Sequence, residues 1–428
     1  MFFRKLPSLL TLILALWSLN FAQSPSAAPR QEKLLNGLRV LMWTDAASPR
    51  VSVKVRIHAG ASFDPQDKEG VMKLLSESIF PNNDVREFFT DELGGDLVVT
   101  CNYDYIEIAA SSRADAYLSL LETLANAITN PVFDKAVTDA VKAKVAATVD
   151  SNEKNASYMA DLAVRKRLFQ TFPYGRPISG TSESLKKIDF ADLRFAYDRL
   201  FGADNATITI SGNFPADTGY RAVRRYFGAW LKSDRKVPST FRQPNPPADG
   251  LQIIGSPEPE MTEIRYAVRG VARSDKEYAA ANVLSRIYET RIRVKAPEDQ
   301  RSNVFVQNDS NILPGIMMFS FTRIKRQMTA EVSGDRPKVE ANDVIANALN
   351  ERVTSSEFEA ARSAAVTEYE KVSVPSRWLD ADTYKLTSVK ADQLSISSVS
   401  IADVQTLADR VKQQLIASVI LLPAKTGN

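Results

Sequence analysis

The chain has 428 residues, 44% of them hydrophobic and 25% charged, which reads as ordinary globular protein too long for a single core. Two or three domains are therefore expected. Lysine and arginine together number 54 against 51 aspartates and glutamates, so there is no basic excess to neutralise a phosphate backbone, and nucleic acid is excluded as a partner.

At the N-terminus, Arg4 and Lys5 precede an apolar run from Leu9 to Trp17, and small and polar residues follow through Ala22. This predicts a signal peptide over 1–22, removed on export, because the run is too short to span a bilayer. Residues 23–33, rich in Ser, Pro and Ala, are expected to form a flexible leader. No later segment is apolar enough to cross a membrane. The mature protein is expected to be soluble and periplasmic or otherwise extracytoplasmic. Cys101 is the only cysteine, so an intrachain disulfide is impossible.

Next come strand candidates Leu38–Trp43 and Val51–Ile57, the second alternating strictly between apolar and polar residues. Helix candidates Gly70–Phe80 and Val85–Leu93 precede a hairpin of Leu97–Cys101 and Tyr105–Ser111. Further helices are expected over Ala116–Ile128 and Asp134–Asp150. Hairpin-like strands with helices packed on them predict an α+β domain with a mainly antiparallel sheet.

The chain also repeats itself. Val51–Asp64 aligns without gaps on Thr262–Asp275, and Asp189–Ile210 aligns at the same spacing on Ser400–Leu421. The second pair reads in both copies as a capped amphipathic helix followed by an apolar strand. Between the copies, Lys232–Gly250 is polar and carries four prolines, as a semi-rigid linker does. The expected domains are thus 34–231 and 251–428, joined by the linker 232–250.

Several local patterns occur in a recognisable order: Leu35-Asn36-Gly37-Leu38, His58-Ala59-Gly60-Ala61 through Asp64, Gly70 at a helix start, Leu93-Gly94-Gly95 before strands containing Asp104, Phe172-Pro173-Tyr174-Gly175, and Gly180-Thr181. With this order the chain resembles the pitrilysin/insulinase family, the inverted-zinc metallopeptidases, over nearly its whole mature length. The resemblance implies two homologous α+β domains forming a half-shell. It also implies a zinc site on H-x-x-E-H, where two histidines bind the metal and the glutamate activates water. In this register the histidine positions are Lys73 and Glu77, the general-base position is Ser76, and the later glutamate ligand falls near Thr148. With His58 as its only histidine, the chain cannot supply the two imidazoles. The chain reads as a degenerate, non-catalytic member with no metal and no cofactor.

The resemblance further implies an arginine and a tyrosine of the second domain that hold the substrate backbone. Their positions fall near Pro297 and Val304, so neither residue is kept, and Arg291 or Arg301, the nearest substitutes, are not expected to take over the role. It also implies an edge strand that takes peptide, here Leu97, Val98, Val99 and Thr100. The apolar, β-branched Val98 and Val99 suit an edge that is paired or covered, so a plain core strand is expected here rather than a peptide groove.

Other readings stay beside these. His58 is expected to be a polar strand-end residue rather than a ligand or base, and Cys101 a buried thiol rather than a reactive one. Lys73 and Glu77, at i and i+4, are either a helix-surface ion pair or an internal pair plugging the former zinc cavity. Three functions follow from the sequence: a partner of a zinc-bearing relative in a heterodimer that closes a proteolytic chamber; a scaffold or binding protein in an envelope complex, with self-association open; and an enzyme of unrelated mechanism.

Overall fold

In the computed structural model, the described residues are 28–233, 242–245, 250–296, 301, 303–324, 345–414 and 416–423. The expected signal peptide and most of the linker lie outside them. The first half runs through strands β1 (Arg30–Lys33), β2 (Arg39–Thr44) and β3 (Arg50–Ile57), then helices α1 (Val71–Ser78) and α2 (Asn83–Asp91). The hairpin β4 (Leu97–Cys101) and β5 (Ile106–Arg113) follows. Then come α3 (Tyr117–Thr129), α4 (Lys135–Asn152), α5 (Ala156–Phe169), α6 (Ser182–Lys187), α7 (Phe190–Leu200), β6 (Ala206–Gly212) and α8 (Ala216–Phe227).

The second half begins with β7 (Leu251–Ser256), β8 (Met261–Arg269), α9 (Tyr278–Lys295), β9 (Val304–Asp309) and β10 (Ile316–Ile324). It continues with α10 (Ser355–Lys371), α11 (Val374–Thr383), α12 (Val389–Ser398), α13 (Ile401–Lys412) and β11 (Ala417–Pro423).

The sheets have orders β1-β2-β6-β3-β5-β4 and β7-β11-β8-β10-β9. Apart from β1, the two orders superpose strand for strand. The pairing superposes too: β2 lies parallel to β6 as β7 does to β11, and all other neighbours are antiparallel. The repeat seen in the sequence is therefore a duplicated α+β domain. Its helix starts match as well. Asp189 caps α7 by a reciprocal box with Asp192, and Ser400 caps α13 with Asp403.

The predicted leader needs one correction: Arg30–Lys33 is not free but pairs antiparallel with Arg39–Met42 as an edge strand. A tight turn makes this possible. Gly37 takes a φ of 93°, and its N–H donates to the Leu34 carbonyl.

Each sheet buries one face under its own helices. Val51, Val53, Val55 and Ile57 of β3 point into the first core, while Lys54, Arg56 and His58 point the other way. That second face is covered by a helix from the opposite half. Ala160, Val164 and Leu168 of α5 pack on Ala267, Met318 and Val419 of the second sheet. In return α11 lies across the first sheet at β6. This exchange explains why β6 and β8 are buried on both faces although they carry polar residues.

Candidate functional site

Helix α1 starts at Gly70, whose φ of 103° suits glycine, and is capped from a distance by Asp64. The Asp64 carboxylate accepts from the N–H groups of Gly70 and Met72, both at 2.8 Å. Burial pushes this carboxyl up to about 7 against those two hydrogen bonds. Val71, Met72, Leu74 and Leu75 face the core. Lys73 and Glu77 remain on the other side, one helical turn apart.

Glu77 is the centre of a cation cluster. Its Oε1 lies 2.8 Å from Lys73 Nζ and its Oε2 3.0 Å from the Arg86 guanidinium, with Lys144 Nζ of α4 at 3.8 Å. Burial alone would raise the Glu77 pKa, but the three cations outweigh it and hold the carboxyl below its ordinary range. The pair is not a plain helix-surface one: the two side chains are 24% and 14% exposed, and helices α2 and α4 both reach the cluster, through Arg86 and Lys144. Ser76 is fully buried and donates to the Lys73 carbonyl at 2.7 Å.

Thr148 lies on the exposed side of α4, off the buried stripe of Thr138, Val141, Val145 and Val149, and donates to the Lys144 carbonyl at 3.3 Å. Zinc, which the family implies, does not fit these residues. They offer an ammonium, two hydroxyls whose protons are given to backbone carbonyls, and one carboxylate neutralised by three cations, where a site needs two imidazoles and a free carboxylate. Among the described residues no group of three or more His, Cys, Asp or Glu could hold a metal ion.

Lys73 opens onto a cleft of about 730 Å³ between the two halves. Tyr103, Tyr105 and Tyr158 line it from the first half, Tyr278 and Tyr384 from the second. The two sheet hairpins meet at its floor. Asp104, between β4 and β5, accepts from the Tyr174 hydroxyl at 3.0 Å and from the Ile312 N–H at 2.9 Å, and the Leu313 N–H donates to the same tyrosine oxygen. Burial raises the Asp104 carboxyl to about 6. The Pro-Tyr-Gly segment thus serves as a clasp between the halves, a role no spacing within either repeat announces.

Among the described residues strand β4 pairs with β5 alone, and Val98 is 53% exposed. The expectation of a paired or covered core strand is therefore corrected: Leu97–Cys101 is a sheet edge, and β-branched residues stand there without a second neighbour. Cys101 is half-buried beside it, and burial pushes its thiol well above the ordinary value, as expected of an inert cysteine.

The second-domain substitutes do not fit a substrate-holding role equally. Arg291 is buried and bound on every side. Its guanidinium meets the Glu357 carboxylate at 2.7 and 2.9 Å and the carbonyls of Ala348, Glu351 and Arg352 at 2.8 to 2.9 Å. It is a structural staple, because its fork is used up on backbone acceptors at a helix end. Arg301 is exposed, with its Nε near the Ala296 carbonyl. Pro297 lies outside the described residues, and Val304 is buried in β9.

His58 is more than a strand-end residue. Its ring nitrogens lie 3.1 Å from the hydroxyls of Thr383 on α11 and Thr207 on β6, and 3.3 Å from Asp382. Beside it, Arg56 bridges Glu107 at 2.6 Å and Asp380 at 2.6 Å and stacks on Tyr105 at 3.9 Å, while Arg39 pairs with Asp382. Burial lowers the His58 pKa, and the bond to Asp382 opposes this without reversing it. Sequence reading missed this cluster because the partners that α11 supplies, Asp380 and Thr383, lie more than 300 positions from Arg56 and His58.

A duplicated α+β domain, with a capped helix facing an inter-domain cleft beside an open strand edge, is the architecture of the inverted-zinc metallopeptidases. The chain belongs to the insulinase family, peptidase family M16: the family's pattern matches residues 39–182, and that of the peptidase M16 inactive domain matches 187–365. It is 26% identical over 279 residues to an uncharacterized zinc protease of Mycobacterium leprae, covering 60% of each chain. It is 20% identical over 216 residues to the non-peptidase homolog YmxG of Helicobacter pylori, covering 49% of each. The chain spans about half to three-fifths of the length of the curated relatives it matches. Its fold is that of a peptidase M16 inactive domain from Pseudomonas fluorescens, with a TM-score of 0.79 at 18% identity over 94% of this chain and 99% of that one. No helix among the described residues is long and apolar enough to cross a membrane.

Proposed function

We propose that this chain is a non-catalytic subunit of an insulinase-like zinc peptidase complex, exported to the periplasm or another extracytoplasmic space. There it pairs with a zinc-bearing relative, closes the chamber, and supports or restricts proteolysis. The observation that carries this reading is the Glu77 cluster, in which Glu77 is tied to Lys73, Arg86 and Lys144; in the register we propose, the family's zinc set would fall on Lys73, Ser76, Glu77 and Thr148. With the carboxylate neutralised by fixed cations, the helix keeps its place in the fold without a metal. The kept inter-domain cleft and the open edge at Leu97–Thr100 support a continuing role around peptide.

The test is a pull-down of the tagged mature protein from its own envelope fraction, beside the protein purified alone. The eluate is assayed for zinc and for chelator-sensitive peptide hydrolysis. Zinc and activity in the complex only are expected. Stoichiometric zinc on the isolated chain would overturn the reading of α1. A second reading, a scaffold or binding protein with no peptidase partner, is favoured by the commitment of Arg291 to Glu357 and backbone carbonyls, which leaves the substrate-holding role unfilled at that position. A stable complex with neither zinc nor hydrolysis would select it.

A further inference from the structure

The two halves differ at one edge. In the first sheet β2 is flanked by β1, with Arg30–Lys33 antiparallel to Arg39–Met42. Arg39 sits opposite Thr207 and Leu251 opposite Ser418, so β7 is the counterpart of β2, and Leu251–Ile254 correspond to the four residues that β1 covers. The residues that would supply the missing strand by the same correspondence, Arg242–Asn245, run elsewhere. The Gln243 amide donates to the Pro314 carbonyl at 2.6 Å and accepts from Arg269 at 2.7 Å, and Arg269 also holds the Pro244 carbonyl. Among the described residues, the outer edge of β7 therefore pairs with no strand.

Alongside this edge lies a groove of about 750 Å³ between β7 and α5. Met159, Leu162, Ala163 and Ile254 give it an apolar floor, and the exposed Lys166 stands over it, while Arg167 beside it is held by the Gly250 carbonyl at 2.7 Å. Ile253 is 55% exposed, and a Cβ added at Gly255 would meet nothing within 4 Å, so among the described residues that face of the strand is open. An unpaired strand edge offers a row of N–H and C=O groups to an incoming extended chain.

We propose that the β7 edge is a second peptide-docking site, taking an extended segment antiparallel to β7 with apolar side chains at alternate positions and carboxylates at its flanks. The first half supplies the template, because β1 already adds to the equivalent strand in that direction. Charge selects the occupant. A second copy of this chain pairing edge to edge would bring two Lys166 ammonium groups toward one another on the same face, whereas an acidic-flanked peptide neutralises the one it meets. The site is separate from the edge at Leu97–Cys101, which lies in the other half.

The test uses the whole mature chain and a fluorescein-labelled peptide, Glu-Glu-Val-Thr-Val-Thr-Val-Glu-Glu, followed by fluorescence anisotropy and amide hydrogen exchange. Saturable binding with new protection over residues 251–256 is expected. The same peptide with lysines at its flanks should bind at least tenfold more weakly, and N-methylation at its valines should abolish binding. Lys166→Glu, an exposed helix position, should weaken the acidic peptide and strengthen the lysine-flanked one. That gain of binding also shows that the variant is folded. Protection confined to Leu97–Cys101, equal binding of both peptides, or amides of 251–256 already protected in the free monomer would each overturn the proposal. A dimer by light scattering with those amides protected would give the edge to a second copy and overturn it likewise.

Discussion

Lys54 and Arg265 stand at equivalent places in the two halves, and each reaches across to a serine on the helix that the other half contributes: Ser376 of α11 at 2.8 Å, and Ser157 of α5 at 2.7 Å. Each also holds a carboxylate of its own sheet, Glu107 at 3.1 Å and Glu263 at 2.7 Å. The duplication has thus kept a contact between the halves as well as the fold of each. Around it the chemistry has diverged: α5 meets its sheet largely through apolar side chains, α11 largely through ions.

Asp380→Ala leaves the Arg56 guanidinium, whose side chain is only 3% exposed, with Glu107 as its one carboxylate. A buried cation deprived of a partner is expensive, so a loss of about 3 kcal/mol in urea unfolding is expected. Limited proteolysis should cut first near α11. A loss below about 0.5 kcal/mol would mean that the helix is held by its apolar contacts alone.

Glu77→Ala should destabilise by about 2 kcal/mol, between the values for exposed and for fully buried ion pairs, because Lys73, Arg86 and Lys144 are left to repel one another. Glu77→Gln with Lys73→Met should recover part of this loss. If the single variant is as stable as wild type in a thermal melt, the cluster is a surface pair and not the plug that replaces a metal.

The lowered pKa of His58 gives a pH dependence of known sign. The unfolded chain takes up a proton near pH 6.5 and the folded chain only at lower pH, so this group's contribution is fully present above 6.5 and is lost as pH falls below it. Asp64 tilts the other way: its folded pKa of about 7 lies above the unfolded value, so its contribution weakens as pH rises from about 4 to 7. The quantity to measure is therefore the difference in unfolding free energy between His58→Gln and wild type across pH 5 to 8. It should shrink on acidification, and a flat difference would show that His58 titrates alike in both states.

Arg291→Lys should cost about 2 kcal/mol, since one ammonium cannot satisfy Glu357 and three carbonyls together. Glu357, held by Arg291 down at about 2, should lose its contribution as pH falls from about 4.5 toward 2 in wild type but not in the variant. Any peptide bound in the inter-domain cleft should be held equally well by both proteins. Weaker peptide binding by a normally stable variant would return Arg291 to a substrate-holding role.

Local patterns were legible in the sequence wherever one strand or helix was enough. The alternation in β3, the capping boxes at Asp189 and Ser400, and the spacing of the repeat all appear in the structure. That His58 is the only histidine is also plain from the sequence. What stayed hidden depends on pairs far apart in the chain. The clasp that Tyr174 and Asp104 make with Ile312 and Leu313, and the seat of His58 between Thr207 and Asp382, arise from how the halves dock, and no window of residues encodes that. The staple made by Arg291 stayed hidden for a related reason: three of its acceptors are backbone carbonyls, and any residue type could supply them.

The exchange of α5 and α11 also bears on how the two halves can be handled. Severed at the prolines between them, neither fragment would own its complete core: the second would lose the apolar lid over Ala267, Met318 and Val419, and the first would expose Arg56 and His58 on a bare sheet. The repeat is interlaced like two clasped hands, each covering the back of the other. Fragments of 1–240 and 241–428 made apart should be insoluble or partly folded, but made together they should find one another and restore the whole.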